Sequence, residues 1–179
     1  MFHQRLIVFV CAALLFSCNQ PKHEVVNNKQ QVQQKVSDHL HQLLDDEKSL
    51  TQQFYQQQKF EPAFTDSGLL NINAKTLLAF IDSCNVFGLQ PSDYHHQQIH
   101  VADSLIRKNY TTGVDVEVVA QMEIVLCDAF FLLAKQMKFG STTAVQFGIN
   151  LPAKANDDVE LVSDLVDALK QNSITAFLK

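Results

Sequence analysis

The sequence predicts an all-α fold, a helical bundle of about five helices. Apolar residues recur three and four positions apart over long stretches, no alternation of period two runs beyond a few residues, and only five Gly and four Pro interrupt 179 residues. With 46% hydrophobic and 18% charged residues, the composition excludes collagen-like, mucin-like and fully disordered classes. The length fits one ordinary domain plus extra segments.

The chain opens with a segment that does not belong to the fold. Met1 to Arg5 is weakly positive, and Leu6 to Phe16 is an unbroken apolar run that Ser17-Cys18 ends. Such a run is too short to cross a hydrocarbon layer about 30 Å thick, and it suits the core of a secretory signal peptide over residues 1–17. Leu15-Phe16-Ser17-Cys18 resembles a bacterial lipobox, with Leu three residues before a Cys that becomes the lipidated N-terminus. Cys18 is the one candidate site residue, a lipidation site. Acyl chains on it give firm anchoring, because each buried CH₂ contributes about 0.8 kcal/mol.

Residues 18–36 carry Asn, Gln and Lys with scattered Val, and read as a disordered tether after the lipidated Cys18. The helical domain is expected over 37–179. Its first helix runs from about Ser37 to Gln58, with Leu40, Leu43, Leu44, Leu50 and Phe54 at near-helical spacing against a Gln-rich face, and Pro62 as its stop. After the turn Asp66-Ser67-Gly68, Asn73 is the expected N-cap of a second helix, 74–87, with Leu77, Leu78, Ile81 and Cys84 on one face and Gly88 as its left-handed end. Pro91-Ser92-Asp93 opens a third helix to about Lys108, with Ser92 as cap and Tyr94, Ile99, Ala102, Leu105 and Ile106 turned inward.

Val114 to Phe139 is the longest periodic segment, and its apolar stripe is broad enough for the central helix of a bundle. Gly140 is its expected stop. Residues 141–156 read as an irregular connection, and Asp157-Asp158 starts a fifth helix to about Lys170, with acids at the positive helix end. Ser173 is placed to cap one more helix, and a helix opening six residues before Lys179 suggests that the chain is part of a longer protein.

Charge and chemistry narrow the function. Lys and Arg total 14 against 19 Asp and Glu, with no dense basic run, so nucleic acid is not an expected partner. Once Cys11 leaves with the leader and Cys18 is lipidated, Cys84 and Cys127 remain; both sit inside apolar helical patterns, where a small buried thiol is commoner than a disulfide. His96 and His100, four apart on one helix, are spaced to reach one metal ion, but no third ligand is evident beside them, so no metal site and no cofactor is expected. Asp45-Asp46-Glu47 and Asp157-Asp158 read as solvated helix-end acids. There is no Gly-x-Ser-x-Gly elbow, no phosphate-cradling loop and no Ser-His-Gly-Cys, hence no catalytic residue to name. Phe54, Tyr55, Phe60, Phe64, Phe87 and Tyr94 cluster around the first two connections, as core and lid packing or, alternatively, as a groove for an extended partner.

Three blocks together carry a family resemblance. Phe54-Tyr55 with Phe60-Glu61-Pro62-Ala63-Phe64-Thr65-Asp66, then Gly88-Leu89-Gln90-Pro91-Ser92-Asp93-Tyr94-His95, then Glu123 to Gly140 with Cys127-Asp128-Ala129-Phe130 in its middle, stand in the order seen in large murein L,D-transpeptidases. From about Ser37 to Lys170 the chain resembles the N-terminal helical scaffold domain of that family. Phe64 stands where the family commonly has Trp, and Thr is more usual than Cys127 before Asp128. The resemblance implies a lipid-anchored cell-envelope protein facing the periplasm, without cofactor, whose partners are the membrane through Cys18 and either peptidoglycan or a separate catalytic domain. Cross-linking would be done there by a Cys in a Ser/Thr-His-Gly-Cys signature; a stand-alone envelope lipoprotein that binds peptidoglycan or a wall enzyme is the alternative.

Overall fold

In a computed structural model, residues 22–42, 49–139 and 155–179 are described. They form helices α1 (Lys22–Gln42), α2 (Leu50–Gln57), α3 (Ile72–Ser83), α4 (His96–Asn109), α5 (Val116–Phe139), α6 (Ala155–Gln171) and α7 (Ile174–Phe177). Two 3-10 turns, Cys84–Phe87 and Pro91–Tyr94, and a hairpin of β1 (Thr65–Asp66) and β2 (Leu69–Leu70) complete them. The expected all-α bundle is what forms. None of these helices is long and apolar enough to cross a membrane. Cys18 and the leader lie outside the described residues, as do Asp45, Asp46, Glu47 and Gly140.

Helix α5 is the axis. Val119, Met122, Leu126, Phe130 and Leu133 line one side and Ala120, Cys127, Phe131 and Ala134 another, all buried, so α5 is apolar over more than one face. Helices α1, α2, α3, α4 and α6 all pack against it, which is the arrangement its broad stripe predicts. Asp115 starts it, its carboxylate accepting from the Glu117 amide at 2.9 Å.

The tether expected over residues 18–36 is corrected from Lys22 onward, because that stretch is part of α1. Val32, Val36 and Leu40 repeat every four residues and are all buried, whereas the Gln and Lys between them face outward. Three apolar residues among many polar ones look sparse by composition, but a helix gathers them on one line against α5. Lys35 and His39 add contacts to Glu117 of α5.

The stretch read as one helix from Ser37 to Gln58 holds the end of α1 and a separate α2. Ser49 has extended backbone and its side chain accepts from the Gln52 amide, so α2 has its own start. Its end is also not set by Pro62. Lys59 and Phe60 turn left-handed, with φ of 54° and 60°, and the Phe60 amide closes back on the Tyr55 carbonyl at 2.7 Å.

The turn expected at 66–68 is a two-residue hairpin turn. Ser67 and Gly68 both have positive φ, the geometry that suits tight antiparallel hairpins, and Thr65 pairs with Leu70. Helix α3 then begins earlier than expected: Asn71, not Asn73, is its N-cap, accepting from the Ala74 amide at 3.0 Å. Asn73 is instead buried and donates to the Leu169 carbonyl at 3.0 Å, tying α3 to the last turns of α6. Gly88 does take the left-handed position, with φ of 77°, after the 3-10 turn.

The third helix also starts differently. Pro91–Tyr94 is a 3-10 turn without a side-chain cap from Ser92, His95 turns left-handed at φ 56°, and α4 proper begins at His96. Tyr94, Ile99 and Ile106 are buried as expected, but Leu105 is 45% exposed. Ser173 precedes α7 but makes no side-chain cap bond.

Two expected outcomes follow. Val36→Asp puts a carboxylate at a fully buried position and should cost at least about 3 kcal/mol in urea unfolding; an unchanged midpoint would mean that α1 is not part of the core. The Glu117 carboxyl is held below its ordinary value of 4.5 by the hydrogen bond from His39 and then by Lys35. A lowered folded value means a stabilising contribution that is present above pH 4.5 and lost as pH falls through the folded value. The midpoint difference between wild type and Glu117→Gln should therefore be present near neutrality and close in acid, and a difference that persists there would contradict the contact.

Candidate functional site

The polar centre of the molecule is Glu123, in the second turn of α5 and fully buried. A buried carboxylate needs donors, and the segment after α2 brings them. One Glu123 oxygen accepts from the Thr65 amide at 2.6 Å and the Thr65 hydroxyl at 2.6 Å; the other accepts from the Ala63 amide at 2.8 Å and the Tyr55 hydroxyl at 2.7 Å. The Phe64 amide lies between them, at 3.1 and 3.0 Å. Three consecutive amides of a non-helical stretch, which no neighbouring strand or helical turn would satisfy, are thus paired by a single side chain.

Burial raises the Glu123 carboxyl above its ordinary value, and the bonds from Thr65, Tyr55, Ala63 and Phe64 pull the other way without cancelling it. The Tyr55 hydroxyl is pushed well above its usual range, first by burial and then by the Glu123 charge, so it stays a proton donor. Asn71 closes the loop from behind, its amide nitrogen donating to the Ala63 carbonyl at 2.8 Å.

A second set of bonds fixes the next connection on the same helix. His95 Nε2 meets the Asp128 carboxylate at 2.8 Å, and the Tyr94 hydroxyl donates to Gln136. All three blocks that carry the family resemblance are therefore joined through α5. The first hangs from Glu123, the second from Asp128 and Gln136, and the third is α5 itself.

The loop held by Glu123 forms one wall of a groove of about 470 Å³, and α1 forms the other. Gln33 and Lys29 face Glu61, Pro62, Thr65 and Gly68 across it. Lys29 pairs with Glu61 at 3.1 Å, and the Gln33 amide donates to the Lys59 carbonyl at 2.6 Å, so its polar rim is internally bonded. This is not the aromatic groove that the sequence left open as an alternative. Phe54, Tyr55, Phe64 and Tyr94 are all buried core, Phe60 is half-buried beside His41, and Phe87 is half-exposed and stacked on Phe80.

Cys84 and Cys127 are both free and buried, as expected, and not bonded to one another. Burial pushes both thiols up, Cys127 well above its usual range, which disfavours the thiolate that a nucleophile needs. His96 and His100 share one partner that the sequence did not reveal, Asp82 near the end of α3. Glu123 was missed as well. A lone Glu inside an apolar helical stripe was the available signal, since an unpaired carboxylate is almost never buried.

A family model described as Scaffold domain matches residues 49–179. That is well over half of the chain and includes all three blocks, so the chain belongs to this Scaffold domain family. The match begins later than Ser37 and runs past Lys170 to Lys179; α1 lies before it. Neither a curated protein nor a solved structure matches the chain.

Glu123→Gln tests the clasp. The amide would turn two N–H donors toward backbone N–H groups that can only donate, so the variant should lose about 3 kcal/mol of folding stability in urea while keeping its helical circular dichroism. A midpoint shift under about 0.5 kcal/mol would mean that the carboxylate does not hold the loop.

Proposed function

We propose that this scaffold domain is the lipid-anchored, non-catalytic part of a murein L,D-transpeptidase that takes part in peptidoglycan cross-linking at the periplasmic side of a bacterial membrane. The observation that carries the reading is the family match over residues 49–179, which coincides with the three blocks resembling the scaffold of those enzymes.

The physical content of a scaffold role lies in the two clasps on α5. A domain that supports chemistry done elsewhere has to present its connections at fixed positions, and here both connections are bonded to one rigid helix rather than only to each other. Among the described residues, three groups that could act as nucleophile or base are engaged otherwise. The two core thiols are buried, and the Glu123 carboxylate is filled by five donors. Acyl transfer would fall to a Cys in a separate domain, with Cys18 carrying the lipid that holds the assembly at the membrane.

Two measurements test this. Deletion of the gene should lower L,D-type cross-links in the muropeptide profile several-fold, whereas the 179-residue chain alone should form no cross-link on purified sacculi. An unchanged profile would remove the transpeptidase assignment and leave a stand-alone envelope lipoprotein. Replacing Cys18 with Ala should move the protein from the membrane to the soluble fraction, and wild-type Cys18 found unmodified by mass spectrometry would remove the anchor.

A further inference from the structure

Asp82 lies one residue from the end of α3, and His96 and His100 lie on the first turns of α4, successive on one helix face because they are four residues apart. The two imidazoles aim at the same point. His96 Nε2 stands 2.9 Å and His100 Nε2 2.8 Å from a single atom, Asp82 Oδ1, and the three donor atoms all lie within 4.8 Å of one another. The rings themselves are edge to face with centroids 4.5 Å apart. Packing does not force this convergence. All three side chains are between 36% and 44% exposed, so each is free to point into solvent.

We propose that Asp82, His96 and His100 bind one divalent transition-metal ion, Zn²⁺ or a close relative. Two imidazole nitrogens and one carboxylate oxygen are a donor set suited to Zn²⁺, Ni²⁺ or Cu²⁺ and poorly suited to Mg²⁺ or Ca²⁺, which prefer oxygen throughout. Tetrahedral Zn²⁺ with bonds of about 2.0–2.1 Å separates its ligand atoms by roughly 3.3–3.4 Å, so each contact to Asp82 has to open by only about half an ångström. The half-exposed Asp82 side chain accommodates that by a small rotation.

Three protein donors leave the fourth position for water or an outside ligand, as in zinc sites that keep an open coordination position. Beside the His pair runs a shallow depression of about 580 Å³ along α4, where Val101 and Leu105 are about half exposed between Gln97 and Ser104. An outside donor would approach along it. The ion would also tie the end of α3 to the start of α4 across the segment 84–95. The proposal is independent of the transpeptidase reading, because it uses none of the residues in the two clasps.

The test uses the full chain, purified without a polyhistidine tag and stripped with chelator, titrated calorimetrically with Zn²⁺ and followed by thermal unfolding. Wild type should bind one Zn²⁺ and unfold at higher temperature with it. Removing a direct ligand in His100→Ala or Asp82→Asn should weaken binding at least about 10-fold and abolish the thermal shift. His41→Ala, on α1, should leave both unchanged. Equal binding by wild type and the His96→Ala/His100→Ala double variant overturns the proposal, as does a thermal shift as large with Mg²⁺ as with Zn²⁺. The changed side chains are only 36% to 44% exposed and lie outside the core, so the metal-free variants should unfold close to metal-free wild type; this keeps a loss of binding distinct from a loss of fold.

Discussion

The burial of one carboxylate constrains most of this molecule. Glu123 sits inside the apolar stripe of α5, where an unpaired carboxylate would cost several kcal/mol. Its burial is stable only if donors surround it, and the donors come from a segment with the opposite deficiency. Residues 63–65 lead from α2 into the first residue of the hairpin, and their amides are paired by Glu123. Two costly features cancel when they meet. Either one alone would be a defect in the core, and together they fix the approach of α2, the start of the hairpin and the entry to α3.

The same logic explains why the connections are ordered although they are not helical. The loop after α2 contains two left-handed non-glycine residues, Lys59 and Phe60, a conformation that L residues adopt at some cost. His95, also left-handed, opens α4 with no side-chain cap. Each strained point is followed by a polar bond to α5, from Thr65 to Glu123 or from His95 to Asp128. Strain of this kind persists where surrounding contacts over-determine the backbone, and α5 supplies those contacts at both places. Among the described residues, the connection after α2 and the one before α4 are thus both bonded to the central helix.

The parts of this design that were legible in the sequence are those written in a single segment. The stripe of α5, the left-handed Gly88, the buried Tyr94 and the inert thiols each follow from a local pattern of spacing or residue type. What was not legible depends on pairs distant in sequence. Asn71 and Asn73 are equally good caps by type, and the choice is made by Leu169, whose carbonyl Asn73 satisfies from 96 residues away. Residues 22–36 of α1 read as a tether because their composition is polar; the buried Val32 and Val36 only count once α5 is beside them. Glu123 and Asp82 carry no local motif, and their partners stand 58 to 68 and 14 to 18 residues away.

Two side chains beside the clasp fit the same picture. Phe64 is fully buried, and its link to Glu123 runs through the backbone amide alone. Its ring fills the core without burying a side-chain donor that would need a partner of its own. Cys127 lies one turn past Glu123 on α5 and is buried beside Thr51 of α2. Thr51 brings a buried hydroxyl to this contact, and the thiol is a weak partner for it. The clasp is made without either side chain, since the five donors to the Glu123 carboxylate are the Tyr55 and Thr65 hydroxyls and the amides of residues 63–65.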